Sequence, residues 1–110
     1  MEINNNVYSN NHPSVSLIIS AYNEENIILD KLNNCLSLNY PHKNLEIIVA
    51  SDGSTDETNS IINNFGSDRI LYFDLPRMGK VNVLNEIVPK ANGEILVFSD
   101  ANTIYNFDNY

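Results

Sequence analysis

The sequence predicts an α/β domain on a Rossmann-like, open, mostly parallel sheet with helices on both faces, and three observations carry that expectation. Short runs of consecutive apolar residues recur four times, as VSLII, LEIIVA, RILYF and EILVF. Strands covered on both faces have this composition, whereas a half-exposed strand would alternate apolar with polar. Longer stretches with apolar residues at helical spacing separate the runs, and the joints between them are rich in turn and cap residues, SDGSTD among them. The order is therefore β-α-β-α-β-α-β. Right-handed crossovers then put helices on both faces and any ligand site at the carboxyl ends of the strands.

The elements follow in chain order. Residues 1–13 are polar and asparagine-rich and are read as a flexible arm ending at Pro13, with residues 14–110 as one domain. After the first run, Ile28, Leu32, Cys35 and Leu36 fall at i, i+4, i+7 and i+8, one stripe of a helix that Tyr40-Pro41 closes. After the second run, Ser54 with Glu57 three residues on has the pattern of a capping box. Thr58, Ile61, Ile62 and Phe65 would then form the buried stripe, and Gly66 would stop the helix. The third helix is expected to begin near Lys80, to bury Val81, Leu84 and Val88, and to end at Pro89 and Asn92-Gly93. The last run reads as a core strand that leads directly into Asp100, and where half the fold is missing it lacks its next neighbour and leaves an unpaired edge, from which poor solubility is expected.

Composition narrows the function. At 110 residues and 43% hydrophobic content the chain can build one modest core. Fourteen acids against six bases give a net charge of −8, which argues against nucleic acid or an anionic membrane surface as the main partner. An anionic small ligand would need the help of a cation. The single Cys35 excludes an internal disulfide and is read as a small buried hydrophobe. No apolar run approaches the roughly 18 residues of a membrane span, and the start lacks an apolar signal region, so the expected location is cytoplasmic.

The loops after the four strands hold the candidate chemistry: Tyr22, Asn23 and Glu24; then Asp52 and Asp56; then Arg77 and Lys80; then Asp100 and Asn102. Parallel strands bring all four loops to one edge. Carboxylates gathered there repel one another unless something positive or hydrogen-bonding sits among them, and a divalent cation with a nucleotide would serve. Asp100 and Asn102 flank a small alanine and both offer oxygen to a hard ion such as Mg2+ or Mn2+. Asp52 suits the amino or imide hydrogen of a nucleobase, Tyr22 offers an aromatic face, and Lys80 a charge for phosphate. Simpler readings stand beside these. Asp52-Gly53-Ser54 also reads as a strand-to-helix turn, Asp56 and Glu57 suit a helix N-terminus, Glu25 reads as solvated, and Gly79-Lys80 lacks phosphate-loop spacing. His12 and His42 sit in polar loops and carry no expected role. Asp100 resists a purely structural reading, because an acid directly after an apolar strand needs a partner.

In this order and spacing, VSLIISAYNEE, LEIIVASDGSTDET, GKVNVLNEIVPKANGEILVFSDAN and the acid motif DAN within the last resemble the nucleotide-binding half of the family 2 glycosyltransferases, enzymes of GT-A fold. The resemblance runs from Val15 to about Tyr105. It implies a glycosyltransferase that takes a nucleoside-diphosphate sugar, most often a uridine diphosphate sugar, and passes the sugar to an acceptor hydroxyl. It further implies that Tyr22 and Glu24 flank base and ribose, that Asp52 holds the base and Lys80 lies near the diphosphate, and that Asp100 with Asn102 forms the metal and ribose motif. Many members have a second acid where this chain has Asn102. Members also have a second half that supplies the acceptor site and the catalytic base, whereas this chain stops eight residues after Asn102. The expectation is thus a donor-binding half, inactive by itself, with no catalytic base in this chain, an unspecified sugar, lipid or polysaccharide acceptor, and membrane attachment only through segments beyond it, at the cytoplasmic face. The alternative is a non-catalytic α/β binding module, either nucleotide-binding or like a response-regulator receiver. A receiver would need an acid pair after its first strand and a phosphoacceptor aspartate after its third, where this chain has SAYNEE and DLPRMGK.

Overall fold

The computed structural model describes residues 12–102. The expected arm over 1–13 therefore lies outside the described residues except for His12 and Pro13, as does the end of the domain over 103–110. His12 and Pro13 are tied down: Asn44 Nδ2 donates to the His12 carbonyl at 3.1 Å and the Tyr40 hydroxyl to the Pro13 carbonyl at 2.5 Å.

Four strands, β1 (Val15–Ala21), β2 (Leu45–Asp52), β3 (Ile70–Leu75) and β4 (Ile95–Asp100), alternate with three helices, α1 (Ile28–Leu36), α2 (Thr58–Phe65) and α3 (Lys80–Ile87). Single 3-10 turns at His42–Asn44 and Val88–Lys90 complete the order. The strands form one parallel sheet in the order β3-β2-β1-β4. The chain winds outward from β1 to β3 and then returns past β1 to lay down β4. The winding direction thus reverses between β1 and β4, where an open α/β sheet leaves a crevice at its carboxyl edge.

Alternate residues of the two central strands supply two cores, as pleating requires. Leu17, Ile19, Ala21, Ile47 and Val49 pack with Ile28, Leu32, Cys35 and Ile62 on one face. Ile18, Ile48 and Ala50 pack with Val83 and Ile87 on the other. The first two helices thus cover one face and α3 the opposite one, the arrangement expected when right-handed crossovers run in opposite directions. Each of these isoleucines, fully out of water, contributes roughly 1.5–3 kcal/mol against the entropy of ordering the chain.

Two expectations are corrected. On α3, Val83 and Ile87 are buried, while Val81 is 71% exposed and Val88 also faces outward; Leu84 is only partly covered. VNVLNEIV carries apolar residues on two helical faces, and periodicity alone does not choose between them. Ser54 is not a helix cap: α2 begins at Thr58, and Asp56 Oδ1 accepts the Thr58 N–H at 2.9 Å. Ser54 instead accepts from the Ser51 hydroxyl at 2.8 Å and from Asn23 N–H at 3.1 Å. The unpaired edge expected at EILVF agrees with the structure: β4 pairs only with β1 among the described residues, and Ile95 and Phe98 are 45% and 49% exposed. Its apolar run belongs to an edge strand. The stripes on α1 and α2 and the stop at Gly66, left-handed with φ +74°, agree with the sequence reading. Among the described residues no helix is long and apolar enough to cross a membrane.

Candidate functional site

The carboxyl edge is built from loops that hold one another. Asn23 adopts φ +50°, a left-handed conformation asparagine tolerates better than most residues. Its Oδ1 accepts the N–H of Thr55 at 2.7 Å and of Asp56 at 3.3 Å. Beside it, Glu24 N–H donates to Thr58 Oγ1 at 2.8 Å, Glu25 N–H to Asp56 Oδ2 at 3.2 Å, and Glu57 N–H to Glu25 Oε1 at 3.0 Å. This zipper joins the loop after β1 to the loop before α2 and supplies the N–H groups of Thr55, Asp56 and Glu57, just ahead of α2, with acceptors. Asp56 and Glu25, read from sequence as helix-end and solvated acids, are spent here. Burial would raise the Asp56 carboxyl, but hydrogen bonds from Thr58 and Glu25 outweigh it and hold the group below the usual carboxylate range.

Asp52, at the end of β2, is almost fully buried and holds the loop after β3. Its Oδ2 accepts from Arg77 Nη1 at 2.6 Å and from Gly79 N–H at 3.1 Å, while Oδ1 accepts Met78 N–H at 2.7 Å. The next residue must be glycine on two counts: Gly53 has φ +66°, and a Cβ there would collide with the Arg77 backbone. The Arg77 guanidinium carbon also lies 3.6 Å above the centre of the Tyr22 ring, a cation–π contact. Asp52, Arg77 and Tyr22 thus form one stacked unit drawn from three loops.

Asp100 ends β4 opposite Ser20 of β1. It pairs with Lys80 from the first turn of α3 and accepts from the Ser20 hydroxyl at 3.3 Å, both on Oδ1. The hydrogen bond from Lys80, above all, holds its carboxyl below the ordinary aspartate value. The partner that sequence demanded for this acid is therefore in place, although the strand before it is an exposed edge and not core.

These groups line one open cleft of about 230 Å3 at the β1–β4 crevice: Tyr22, Glu24, Asp52, Lys80, Asp100 and Asn102, with Ser20 and Arg77. The six residues that the resemblance assigns to the donor site all line it, whereas Asn23 and Asp56 are held in the zipper beside it. Arg77 was seen as one of two bases in its loop, but its union with Asp52 and Tyr22 was missed. The only trace in the sequence is a basic residue just ahead of Met78-Gly79, whose N–H groups Asp52 also takes. Among the described residues no three of His, Cys, Asp or Glu come together as a metal cluster.

A parallel α/β sheet with acidic and basic loops around a crevice at its switch point defines an open α/β protein whose small-molecule cleft lies at the carboxyl ends of its strands. Residues 16–110 match Glycosyl transferase family 2, and the chain belongs to that family. It is 40% identical over 96 residues to a poly-beta-1,6-N-acetyl-D-glucosamine synthase of Staphylococcus epidermidis, an alignment covering 86% of this chain and 23% of that protein. Among solved structures it is similar to a mannosyltransferase from Pyrobaculum calidifontis in complex with GDP-Man and Mn2+, with TM-score 0.77 and 31% identity over 86% of this chain and 29% of that one. It also resembles S. aureus TarS in complex with UDP-GlcNAc, with TM-score 0.73 and 25% identity over 87% of this chain and 28% of the other. The chain spans about a quarter of the length of the curated relatives it matches. Family membership sets aside the receiver-like alternative and agrees with the GT-A-like fold expected from sequence.

Proposed function

We propose that the cleft binds the nucleoside diphosphate of a sugar donor, uridine diphosphate first among candidates, as the donor half of a glycosyltransferase that passes the sugar to an acceptor hydroxyl. The observation that carries this reading is the convergence of Tyr22, Glu24, Asp52, Lys80, Asp100 and Asn102 on one crevice, graded from a stacked end floored by the buried Asp52 to an open, ionic end. The base lies at the Tyr22–Arg77–Asp52 end, the ribose beside Glu24, and the diphosphate near Lys80. An ammonium there stabilises the charge that grows on the departing diphosphate, which lowers the barrier to displacement at the anomeric carbon.

A divalent cation, Mg2+ or Mn2+, fits the other end. Asp100 Oδ1 is engaged by Lys80 and Ser20, while Oδ2 accepts nothing among the described residues, and the exposed Asn102 adds a neutral amide oxygen. These are two hard oxygen donors, too few to hold such an ion without oxygens from the ligand and water. When bound, the ion would supply Lewis-acid neutralisation of the diphosphate.

Calorimetric titration of the chain tests the proposal. UDP or UDP-GlcNAc should bind more tightly than GDP, with affinity lost in Asp52→Ala and in Asp100→Ala. Absence of heat with every nucleoside diphosphate, with and without Mn2+, would overturn it.

A further inference from the structure

The joint between α3 and β4 contains a dipeptide that can modify itself. Of the four glycines only Gly93 follows an asparagine, Asn92. In such a pair the glycine nitrogen can attack the side-chain carbonyl carbon of the asparagine, because the glycine has no side chain to screen that nitrogen or to stiffen its approach. A bond forms between Gly93 N and Asn92 Cγ, the Cγ–Nδ2 bond breaks, and the amide nitrogen leaves as ammonia with the proton lost from Gly93 N. Water then opens the cyclic imide at one or other carbonyl, giving aspartate, or isoaspartate whose main chain runs through the former side chain.

The glycine is required for space. A Cβ at 93 would lie 2.4 Å from the Ser16 backbone nitrogen and 2.7 Å from the Val15 carbonyl carbon, so the reactive pair cannot be avoided by placing a larger residue there. The same fit restrains the reaction. Gly93 N–H donates to Ser16 Oγ at 2.8 Å. The Asn92 amide donates to Glu46 Oε2 at 3.1 Å, and Asn92 N–H to Glu46 Oε1 at 2.9 Å. Ser16 and Glu46 are register partners on β1 and β2, and the Ser16 hydroxyl donates to Glu46 Oε1 at 2.6 Å. Just beyond, Glu94 N–H donates to Ser14 Oγ at 2.9 Å and Ile95 N–H to the Ser14 carbonyl at 3.0 Å. The attacking nitrogen is thus held by one strand and the amide it would attack by the next, and Gly93 cannot swing toward Asn92 Cγ without backing away from β1.

We infer that Asn92-Gly93 is a latent deamidation site, that Ser16 and Glu46 hold it out of reacting geometry, and that its conversion unfastens the start of β4. The product removes the amide donor from Glu46 and sets a second carboxylate beside it, two like charges in place of a hydrogen bond. Isoaspartate also lengthens the main chain where Gly93 lies against Ser16. The inference is independent of the donor reading, since the site is at the opposite end of the sheet from the cleft.

Peptide mapping by mass spectrometry, with chromatographic separation of isoaspartate, tests it on the whole chain incubated at mildly basic pH, folded and in urea. Deamidation at Asn92 should be slower in the folded chain on the order of tenfold or more, since the reacting geometry is reached only through local opening. Ser16→Ala and Glu46→Gln should each speed it in the folded chain and leave the rate in urea unchanged. Gly53→Ala, which loosens the far end of the sheet, serves as the control for general loss of stability and should leave Asn92 near the parent rate. Asn92→Asp, which carries the product's charge, should melt below the parent chain. Equal rates folded and unfolded, or variants at 16 and 46 no faster than Gly53→Ala, would overturn the restraint; a slower reaction in Glu46→Gln would do the same by making Glu46 a base for the attack. An Asn92→Asp chain as stable as the parent would overturn the claim that conversion unfastens β4.

Discussion

Replacing Asp52 by asparagine should destabilise the fold measurably, and the size of the effect follows from what its carboxylate holds. Three donors converge on it: Arg77 Nη1 at 2.6 Å, Met78 N–H at 2.7 Å and Gly79 N–H at 3.1 Å. An asparagine keeps one carbonyl oxygen, enough for Met78, and turns an NH2 toward Arg77 and Gly79, so donors would face donors. A hydrogen bond to a charged acceptor contributes about 1.5–3 kcal/mol. The Arg77 side chain is 55% exposed, however, so its share is screened and is worth no more than about 1 kcal/mol. The expected loss is about 2–3 kcal/mol, and at roughly 4–8 °C per kcal/mol for a domain of this size the melting temperature should drop by about 10–20 °C. Thermal unfolding followed by circular dichroism measures it. Arg77→Gln, which removes only the exposed partner, should cost less than half as much. Were Asp52→Asn to melt within about 2 °C of the parent chain, Asp52 would not be what fastens residues 77–79, and the account of the stacked end would fail.

Other consequences are as specific. Gly53→Ala adds a Cβ at φ +66° against the Arg77 backbone, and should cost more than about 1 kcal/mol in chemical denaturation; a neutral result would mean that the 77–79 loop does not press on β2. At the opposite end of the sheet, burial pushes the Glu46 carboxyl up, but hydrogen bonds from Asn92 N–H, the Ser16 hydroxyl and the Asn92 side chain outweigh it and leave the group below its usual range. A depressed folded pKa means that this contribution is complete above the unfolded value of about 4.3 and is lost as pH falls through the folded one. Stability should therefore hold from neutral pH to about 5 and fall below about 4, and Glu46→Gln should flatten that acid limb in urea titrations repeated across pH. Finally, among the described residues β4 pairs with β1 alone and leaves Ile95, Val97 and Phe98 partly bare, so the chain should self-associate as concentration rises. Val97→Lys should reduce that association in sedimentation velocity, and an unchanged profile would place the sticky surface elsewhere.

How far the sequence could be read depended on whether local or distant groups decide a feature. Ile28, Leu32 and Cys35 on α1 obey one helical period and have one way to be buried, so that stripe was legible. The order of strands and loops, and hence the convergence of Tyr22, Asp52 and Asp100, follows from handedness and was legible too. On α3, Val81, Leu84 and Val88 compete with Val83 and Ile87 for the sheet, and the winner is set by where the Asp52-held loop delivers residue 80, information that lies 28 positions upstream. Ser54 has the pattern of a cap but is claimed by Asn23 and Ser51. An N–H from another loop outbids a local motif, and no window of sequence around Ser54 contains it.

The same distinction bears on how the stacked end could read a nucleobase. A carboxylate has about four lone-pair sites, and those of Asp52 are largely taken by Arg77, Met78 and Gly79. A base that uses Asp52 must therefore take the place of one of these donors. The Met78 and Gly79 N–H groups are fixed in the backbone at the start of α3, whereas Arg77 is a long, half-exposed side chain already stacked on Tyr22 at the cleft wall. Of the three, Arg77 is the cheapest to displace, since its pair with Asp52 is screened by water while the backbone bonds are not. The unliganded arrangement then has the guanidinium holding the Tyr22 face and the Asp52 edge together, the same two surfaces a planar, hydrogen-bonding base would occupy. On the donor-binding reading, entry of the base exchanges one planar donor for another, and the floor of the cleft does not have to be rebuilt.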